Sequence, residues 1–260
     1  MDPSEYRTIY AVEDRHWWYT GMRRVTQTLL RETYGRRDDL HILDAGSGTG
    51  GAMHYLAPFG PVTGIDLSPL ALDFCRDRGF VRLAQAGVTS LPFPDGSFDL
   101  VTSFDVLYHR AVAGTGAALA EFRRVLRPGG RLLLRLPAYD RLRGRHDTVI
   151  HTARRFTAGG LADSLAAAGF AVERLTYANT ILFPLALAKR LAEPLLPGGR
   201  AGQSDIGPNP PWLDAALSAV LGLEAAWLRR RDLPFGLSVI ALARKAAGVA
   251  GSQSQSLSLS

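Results

Sequence analysis

A run of glycines in the first third of the chain has the spacing most useful for binding a ligand. The segment LDAGSGTGG (Leu43–Gly51) follows a predicted buried strand and opens a predicted helix. Glycines at such a junction let the backbone approach a ligand, and the first amides of the helix then face it. Gly46, Gly48 and Gly51 also satisfy the dinucleotide pattern G-x-G-x-x-G.

An acidic residue follows this loop at a useful distance. Asp66 closes the predicted strand VTGID, twenty residues after Gly46. A carboxylate in that place accepts hydrogen bonds from ribose hydroxyls in dinucleotide-binding proteins, and it would do so for another adenosine-containing ligand. The glycines and Asp66 therefore predict a nucleoside site but leave the kind of cofactor open.

Histidines that could remove a proton from a hydroxyl follow two predicted strands. The segment LPAYDRLRGRHDTVIHTARRF comes just after the fifth strand, at the edge where open α/β sheets bind ligands. We predict His146 as a general base with Asp147 as the nearby acid, and His151 as an alternative. His109, after the fourth strand, is a further candidate. Surface, capping or packing roles are the alternative interpretation.

Basic residues are abundant but do not indicate one binding surface. The net charge is +6, and 28 of the 30 basic residues are arginines scattered along the chain, which is more typical of coding bias, so no nucleic-acid partner is expected. Five arginines near the histidines could hold a carboxylate or phosphate, with a solvated basic face as the alternative: Arg141, Arg143, Arg145, Arg154 and Arg155.

Strand-like and helix-like stretches alternate along the chain, which predicts a parallel sheet covered by helices on both faces. Ser68 and Thr157 are predicted N-caps, Gly169 ends a helix, and RPGG at 127–130 predicts a turn into the fifth strand. The predicted strands are HILDA, VTGID, Val81–Ala84, FDLVTSFDVL, RLLLRLP, AVERLTYAN and GLSVIALAR.

A long interruption separates the last two predicted strands. Residues 180–234 contain two helix-like pieces, roughly Leu185–Glu193 and Trp212–Arg230. Connections of this length are functional or disordered, and the helical pattern argues against disorder. We predict a cover over a substrate pocket or a homodimer surface. A membrane contact is a third use, because an apolar stripe precedes Arg229–Arg231. The tail 248–260 is predicted to be disordered.

Four motifs between residues 41 and 136 resemble, in order and spacing, those of the class I methyltransferases that use S-adenosylmethionine, in particular the type-11 group with its ubiquinone- and menaquinone-pathway enzymes. They are DAGSGTG (Asp44–Gly50), GIDLS (Gly64–Ser68), LPFPDGSFDLV (Leu91–Val101) and RRVLRPGGRLLL (Arg123–Leu134). The resemblance implies a Rossmann-like α/β fold. Its seven-stranded, mostly parallel sheet would have the order 3-2-1-4-5-7-6, with a helical insertion between strands 6 and 7.

The resemblance also implies roles for residues around the sugar and the amino acid of the cofactor. Gly46, Gly48 and Gly50 would pack under the methionine part and the ribose. Asp44 would order the loop and the ammonium group, and Asp66 would accept from both ribose hydroxyls.

Residues at the adenine and at the methyl group follow from the same resemblance. Leu67 would lie against the adenine. The family often has an acidic or hydroxylated residue at the adenine amine, where this chain has Gly87, so only the backbone of Gly87 and Val88 would make contacts there. Phe104 and Asp105 would border the methyl group, with a helix cap as the alternative for Asp105.

Two adjacent tryptophans, Trp17 and Trp18, come just before the first predicted helix. They resemble aromatic segments that close over the cofactor in this family, where their faces would suit a cation. Packing in the core is the alternative for one of them.

The expected protein is one methyltransferase domain over residues 1–247, with an N-terminal helical cap at 1–36. It would transfer methyl from S-adenosylmethionine to a small-molecule acceptor, at an oxygen of a sugar, a natural product or a lipid-linked compound. The alternatives are an NAD(P)-dependent oxidoreductase and a non-catalytic protein of the same fold.

Composition excludes several other classes. The one cysteine, Cys75, cannot form an internal disulfide, and no Cys/His cluster has zinc spacing, so no metal is expected. No apolar stretch reaches the length of a membrane span, and the first residues lack the apolar region of a signal peptide. A cytoplasmic location is expected.

Overall fold

The computed structural model describes residues 2–110, 112, 114–140, 154–192 and 207–246. The helices in these ranges are α1 Pro3–Val12, α2 Trp17–Tyr34, α3 Gly51–Leu56, α4 Pro69–Asp77, α5 Thr115–Val125, α6 Ala158–Ala167, α7 Phe183–Ala192 and α8 Pro211–Trp227. The strands are β1 Ile42–Ala45, β2 Val62–Asp66, β3 Leu83–Gln85, β4 Phe98–Phe104, β5 Leu126–Pro137, β6 Phe170–Ala178 and β7 Ser238–Lys245.

The strands form one sheet in the order β3-β2-β1-β4-β5-β7-β6. β1 to β5 are parallel, and β7 runs antiparallel between β5 and β6. Every residue of β1 is buried, including Asp44, as is typical of a strand covered on both faces. The predicted fold class and strand order are confirmed.

Successive residues of the central strands belong to two different hydrophobic clusters, one on each face of the sheet. Leu132 and Leu134 of β5 pack with Phe122 of α5 in the first cluster, which α6 also covers. Leu133 belongs to the second cluster, with Leu29 of α2 and residues of α3 and α8. This double cover holds the carboxyl ends of β1, β2 and β4 rigidly at one edge.

Two helices precede the first strand, where the sequence predicted one. α1 begins after Asp2, whose side chain caps it, and Pro3 occupies the first turn. An acidic cap followed by proline is a helix-start signal, so the sequence carried this information. α2 begins at Trp17, which places Trp17 and Trp18 in the first turn, and the His16 ring accepts a hydrogen bond from the Trp18 N–H at 3.3 Å.

α7 and α8 lie between β6 and β7, where the sequence predicted a helical insertion. The loop between them falls outside the described residues. α8 packs along α2, with Leu221 and Leu228 buried against Met22. The two helices approach most closely at Gly21, where a Cβ atom would lie 2.3 Å from Leu221 Cδ1.

Some predicted boundaries differ from the structure. The predicted RPGG turn lies within β5 rather than before it. Leu126 and Arg131 of β5 pair with β4, and the turn residues between them are left unpaired with that strand. β3 is shorter and later than predicted, since its edge position gives little burial to define it. Among the described helices, none is long and apolar enough to cross a membrane.

The contact at Gly21 makes a prediction about stability. Gly21→Ala should lower the free energy of unfolding by about 1–2 kcal/mol, because overpacking at Leu221 outweighs the better helix propensity of alanine. Urea denaturation measures this change. Gly116→Ala in α5, where a Cβ atom would meet nothing within 4 Å, should instead be neutral or stabilising by up to about 1 kcal/mol.

A second background separates overpacking from other causes. In a Leu221→Gly protein all three atoms that a Cβ on residue 21 would meet first are absent, including Leu221 Cβ at 2.6 Å, so Gly21→Ala should then cost much less stability than in the wild type. An equal loss of stability in both backgrounds would contradict the assigned helix–helix contact.

Candidate active site

The glycine loop after β1 takes a backbone course that other residues rarely adopt. Gly46, Gly48 and Gly50 have φ angles of 92°, 53° and 83°. The N–H groups of Gly46 and Ser47 both donate to the Ile65 carbonyl at 2.8 Å, which ties the loop to β2. A Cβ atom on Gly46 would lie 2.3 Å from a methyl carbon of Val106, whereas the space at Gly48 is open. The loop therefore forms a cradle lined by backbone.

A buried carboxylate lies beside this cradle. Asp44 is 1% exposed, and its Oδ1 accepts a hydrogen bond from the Thr102 hydroxyl at 2.8 Å. Its Oδ2 has no hydrogen-bond partner among the described residues. Burial raises the pKa of Asp44 to about 7. A buried acceptor without a donor is costly, so the site favours a ligand that brings a donor or a positive charge.

The second carboxylate lies at the end of β2. Asp66 Oδ2 accepts from the Gly48 N–H at 3.0 Å, and Oδ1 accepts from the Ser68 N–H at 2.9 Å and from the Tyr6 hydroxyl at 3.4 Å. Burial raises the pKa of Asp66, and the two backbone donors oppose that rise. The carboxylate is thus fixed against the glycine loop while α1 reaches it from above.

An ion-pair network holds α1 against the glycine loop. Arg78 pairs with the buried Glu13 at 2.8 Å and with Asp14 at 3.1 Å, and its Nε donates to the Thr49 carbonyl at 2.9 Å. The Thr49 hydroxyl also donates to Glu13. Burial is the main cause of the raised pKa of Glu13. These contacts therefore tie the N-terminal segment to the glycine loop.

The wall of the cavity beside Asp66 includes the residues predicted to contact adenine. Leu67 is 55% exposed there, and Gly87 and the buried Val88 also line the cavity. A Cβ atom on Gly87 would make an ordinary contact of 3.4 Å with the Leu67 side chain. A side chain would therefore fit at residue 87, and none is present.

Arg135 of β5 lies at the centre of a buried cluster after β4. Its guanidinium pairs with Asp105 at 2.7 Å and lies between the rings of Trp18, at 4.9 Å, and Phe104, at 4.8 Å. Asp105 has a φ of 57°, and no described helix begins there, so it is an ion-pair partner rather than a helix cap. Trp18 presents a face to a cation from the protein itself.

Both carboxylates, the loop residues Gly46 and Gly48, and Arg135 line one cavity of about 1180 Å³, whereas Gly50 is not part of its lining. This volume exceeds the roughly 300–1,000 Å³ of pockets for drug-sized ligands, so it offers room for two ligands side by side. One half, at β1 and β2, contains the glycine loop and the two carboxylates. The other half lies at the edge shared by β5, β7 and β6, where Pro137, Ser238 and Ala178 are paired in register.

This second half is mainly apolar. Its apolar lining consists of Val112, Pro137, Leu182, Leu185, Ala186, Leu217 and Leu237. Polar groups include the buried Asn179 and Ser238, together with Tyr108, His109 and Arg155. The side-chain Oδ1 of Asn179 has no hydrogen-bond partner among the described residues. This half would accept a small molecule that is mostly apolar and carries few polar groups.

The structure brings only some of the predicted catalytic residues to the cavity. His109 is half-buried and lines it, and Arg155 lies nearby, donating to the Ala138 carbonyl at 3.1 Å. Arg154 donates to the Val112 carbonyl at 3.4 Å. Three predicted catalytic residues and three arginines lie outside the described residues: His146, Asp147, His151, Arg141, Arg143 and Arg145.

Four residues of the site were not found by sequence reasoning. Tyr6 and Glu13 belong to the overlooked α1, and the capping signal at Asp2 would have revealed that helix. Arg135 interrupts an apolar strand run, and a charge in such a run is itself a signal, because unpaired charges are rarely buried. Asn179 at the end of β6 offered no signal.

The chain matches known proteins over its central part. Residues 43–134 match a family described as "Methyltransferase domain". A ubiquinone/menaquinone biosynthesis C-methyltransferase UbiE of Shewanella piezotolerans is 33% identical over 141 residues, which cover 49% of this chain and 55% of that protein. A demethylmenaquinone methyltransferase of Tropheryma whipplei is 37% identical over 127 residues, covering 47% and 48%. The chain thus spans about half the length of these relatives.

A solved structure extends the likeness to most of the fold. The [4+2]-cyclase SpnF superposes with a TM-score of 0.55 at 25% identity, covering 86% of this chain and 81% of that one. The predicted methyltransferase family is confirmed for residues 43–134, and the predicted sheet is confirmed by the observed strand order. The methyltransferases that match this part of the chain support S-adenosylmethionine as the cofactor.

The raised pKa of Asp44 predicts how stability depends on pH without ligand. Because the folded pKa of about 7 exceeds the ordinary 3.8, the protonated acid favours folding, and this contribution is lost as the pH rises to about 7. The free energy of unfolding of Asp44→Asn, relative to that of the wild type, should therefore increase from about pH 4 to about pH 7 and stay constant above pH 7. The total increase should be on the order of 1–4 kcal/mol. Urea denaturation at several pH values measures it.

The same substitution at an exposed site is the control. Asp77→Asn at the end of α4 reports what the change does outside the cavity. If the free energies of unfolding of Asp44→Asn and the wild type differ by the same amount at about pH 4 and about pH 8, the assigned burial cost is contradicted.

Proposed function

We propose, from the premise that residues 43–134 form a class I methyltransferase domain of the type-11 group, that the protein transfers a methyl group from S-adenosylmethionine to a small, mostly apolar acceptor. One observation carries the proposal. The carboxyl group of Asp44, whose Oδ2 has no partner among the described residues, lies beside a three-glycine cradle in a cavity large enough for cofactor and acceptor together.

The residues present fit this cofactor. Asp44 would bind its ammonium group, which supplies the missing donor and the charge that stabilises a buried carboxylate. Asp66 would accept from the ribose hydroxyls in place of the long 3.4 Å contact with Tyr6. Gly46, Gly48 and Gly50 would pack under the sugar and the methionine part.

The remaining contacts follow from the walls of the same half of the cavity. Leu67 would lie on the adenine, with the backbone of Gly87 and Val88 at its edge. Phe104 would border the methyl group. Asp105, predicted at the same place, is engaged by Arg135 and would act there through the ion pair.

Methyl transfer from a sulfonium is an in-line displacement, so alignment and removal of water supply much of the catalysis. The apolar side chains of α7 and α8 would hold the acceptor and keep water out. Leu182, Ala186 and Leu217 line this half, which favours an apolar natural product or lipid-soluble compound over a free sugar.

We propose oxygen as the methylated atom, with a histidine as the base that removes the hydroxyl proton. His109 lines the cavity and takes this role among the described residues. His146, assisted by Asp147, and His151 keep it as predictions from the sequence. Carbon is the second candidate, because the relatives named above are a quinone-pathway C-methyltransferase and a demethylmenaquinone methyltransferase.

Binding of the cofactor can be tested separately from turnover. S-adenosylhomocysteine should raise the melting temperature, and NAD or NADP should not. Asp66→Ala should weaken binding of S-adenosylhomocysteine at least tenfold, because a charge-assisted hydrogen bond is worth about 1.5–3 kcal/mol. Isothermal titration calorimetry measures the affinity.

A matched substitution tests the location of the site. Asp73→Ala, on the exposed surface of α4, should leave this affinity unchanged. Stabilisation by NAD alone would support the oxidoreductase alternative, and an unchanged affinity in Asp66→Ala would mean that the site is misplaced.

Turnover can be tested with methyl-labelled S-adenosylmethionine and a panel of acceptors. A dihydroxynaphthalene and a simple phenol should accept label, and a free hexose should not. His109→Gln should lower kcat by about 100-fold or more for a hydroxyl acceptor, while the affinity for S-adenosylhomocysteine stays the same.

The products and the matched variants distinguish the alternatives. His146→Gln tests the base predicted from the sequence, and NMR of the product distinguishes an O-methyl from a C-methyl group. Binding of S-adenosylhomocysteine with no transfer to any acceptor would favour a non-methylating protein, since the fold also occurs in a [4+2]-cyclase.

A further inference from the structure

Helix α8 directs its charged and hydroxyl side chains toward the protein, and its exposed residues are all apolar. Asp214 Oδ1 accepts from the Trp17 N–H at 3.0 Å, and Ser218 Oγ accepts from the Thr20 hydroxyl at 2.9 Å. Glu224 is 1% exposed, and its two oxygens accept from backbone N–H groups of the turn after β6 at 2.7 Å each. No other residue of α8 has a charged or hydroxyl side chain, so its polar groups are all used to hold it in place.

The solvent side of this helix is apolar throughout. Its exposed residues are Pro211, Trp212, Ala215, Ala216, Ala219, Leu223, Ala226 and Trp227. Trp212, Leu223 and Trp227 are 71%, 66% and 55% exposed. At about 100° per residue these three lie within about 60° of one another, on what we name the outer face of α8. A helix on the surface of a globular protein normally shows the reverse pattern.

The apolar surface continues at the start of α7. Ile181 is 52% exposed and Leu185 is 69% exposed, and the turn before them is held to α8 by Glu224. Leu185 also lines the large cavity. The outer face of α8 therefore lies beside one mouth of the proposed acceptor half.

Three arginines come just after the end of α8, separated from Trp227 by the buried Leu228. Arg229, Arg230 and Arg231 are exposed, and their side chains form no ion pair or hydrogen bond within the part of the chain that the structure describes. The neighbouring carboxylate, Asp232, is already paired with Arg174 at 2.7 Å. Within the described ranges, no carboxylate is paired with these three arginines.

We propose that the outer face of α8, with Arg229–Arg231, docks the protein on the surface of a lipid bilayer that contains anionic lipids. Exposed tryptophans suit the boundary between headgroups and acyl chains, because one part of the ring system is apolar and its N–H remains hydrated. The arginines would meet the anionic headgroups. A second copy of the chain, packed through the same outer face, would cover the apolar residues. That face would bring no carboxylate to the three arginines.

Docking would bring the cavity mouth at Leu185 to the lipid surface. An acceptor dissolved in the bilayer could then enter the apolar half of the cavity without crossing water. This consequence rests on the proposed function, whereas the docking itself does not.

Sedimentation with vesicles tests the docking. The full chain should bind vesicles of phosphatidylcholine and phosphatidylglycerol at least tenfold more tightly than vesicles of phosphatidylcholine alone, and high salt should reduce the difference. Replacing all three arginines by Gln should weaken binding to the anionic vesicles by about two orders of magnitude. Trp212→Ser with Trp227→Ser should weaken binding to both kinds of vesicle.

Matched controls separate this face from general charge and hydrophobicity. Arg36→Gln, Arg76→Gln and Arg82→Gln together remove the same charge from exposed positions elsewhere, and Val81→Ser removes an apolar side chain that is 89% exposed. Both controls should bind vesicles as the wild type does. An equal loss in the arginine control would overturn the proposal, because net charge alone would then explain binding.

Two further outcomes would overturn it as well. One is the absence of vesicle binding. The other is a dimer, seen by light scattering, that Trp227→Ser dissociates, since the outer face would then be covered by a second copy. Circular dichroism checks that each variant is folded. The vesicle measurement uses neither cofactor nor acceptor, so its failure is distinct from a failure to bind S-adenosylhomocysteine.

Discussion

The carboxylate of Asp44 is ionised only at a cost, because the sheet encloses it and Thr102 is its one hydrogen-bond donor among the described residues. That cost is tolerable where a ligand supplies the missing positive charge, and the surrounding structure is arranged to place such a ligand. The glycine loop follows Asp44 directly and is tied by its amides to Ile65 and Asp66, and Asp66 stands at the end of the neighbouring strand. A ligand with a cationic group would supply the donor that Asp44 Oδ2 lacks among the described residues.

The N-terminal helices complete this site from outside the sheet. Arg78 joins Glu13 and Asp14 to the glycine loop, and Tyr6 reaches Asp66, so a segment distant in sequence closes the cavity. Trp18 stacks on Arg135, whose charge is balanced by Asp105. The N-terminal helices are thus linked to the sheet and its glycine loop through buried ion pairs, which fix geometry more than they add stability.

The other half of the cavity depends on α7 and α8. Glu224 and Ser218 anchor α8 by hydrogen bonds directed inward, which leaves apolar residues on its outer face. The acceptor half and the proposed bilayer contact are therefore built from the same helical pair. The apolar character of both is consistent with one class of acceptor.

The residue pattern by itself determined the alternation of elements, the glycine loop and the position of Asp66 after a strand, because buried parallel strands and left-handed turns restrict residue types strongly. The strand order followed from the resemblance of four motifs to those of the class I methyltransferases. The sequence also contained the start of α1 in Asp2 and Pro3, although that signal was overlooked. Only the tertiary structure showed that Arg135, Trp18 and Asp105 meet, that Asn179 lines the cavity, and that α8 directs its charged and hydroxyl side chains toward the protein. These facts depend on which residues distant in the chain become neighbours, and such pairing leaves no periodic mark in a single sequence.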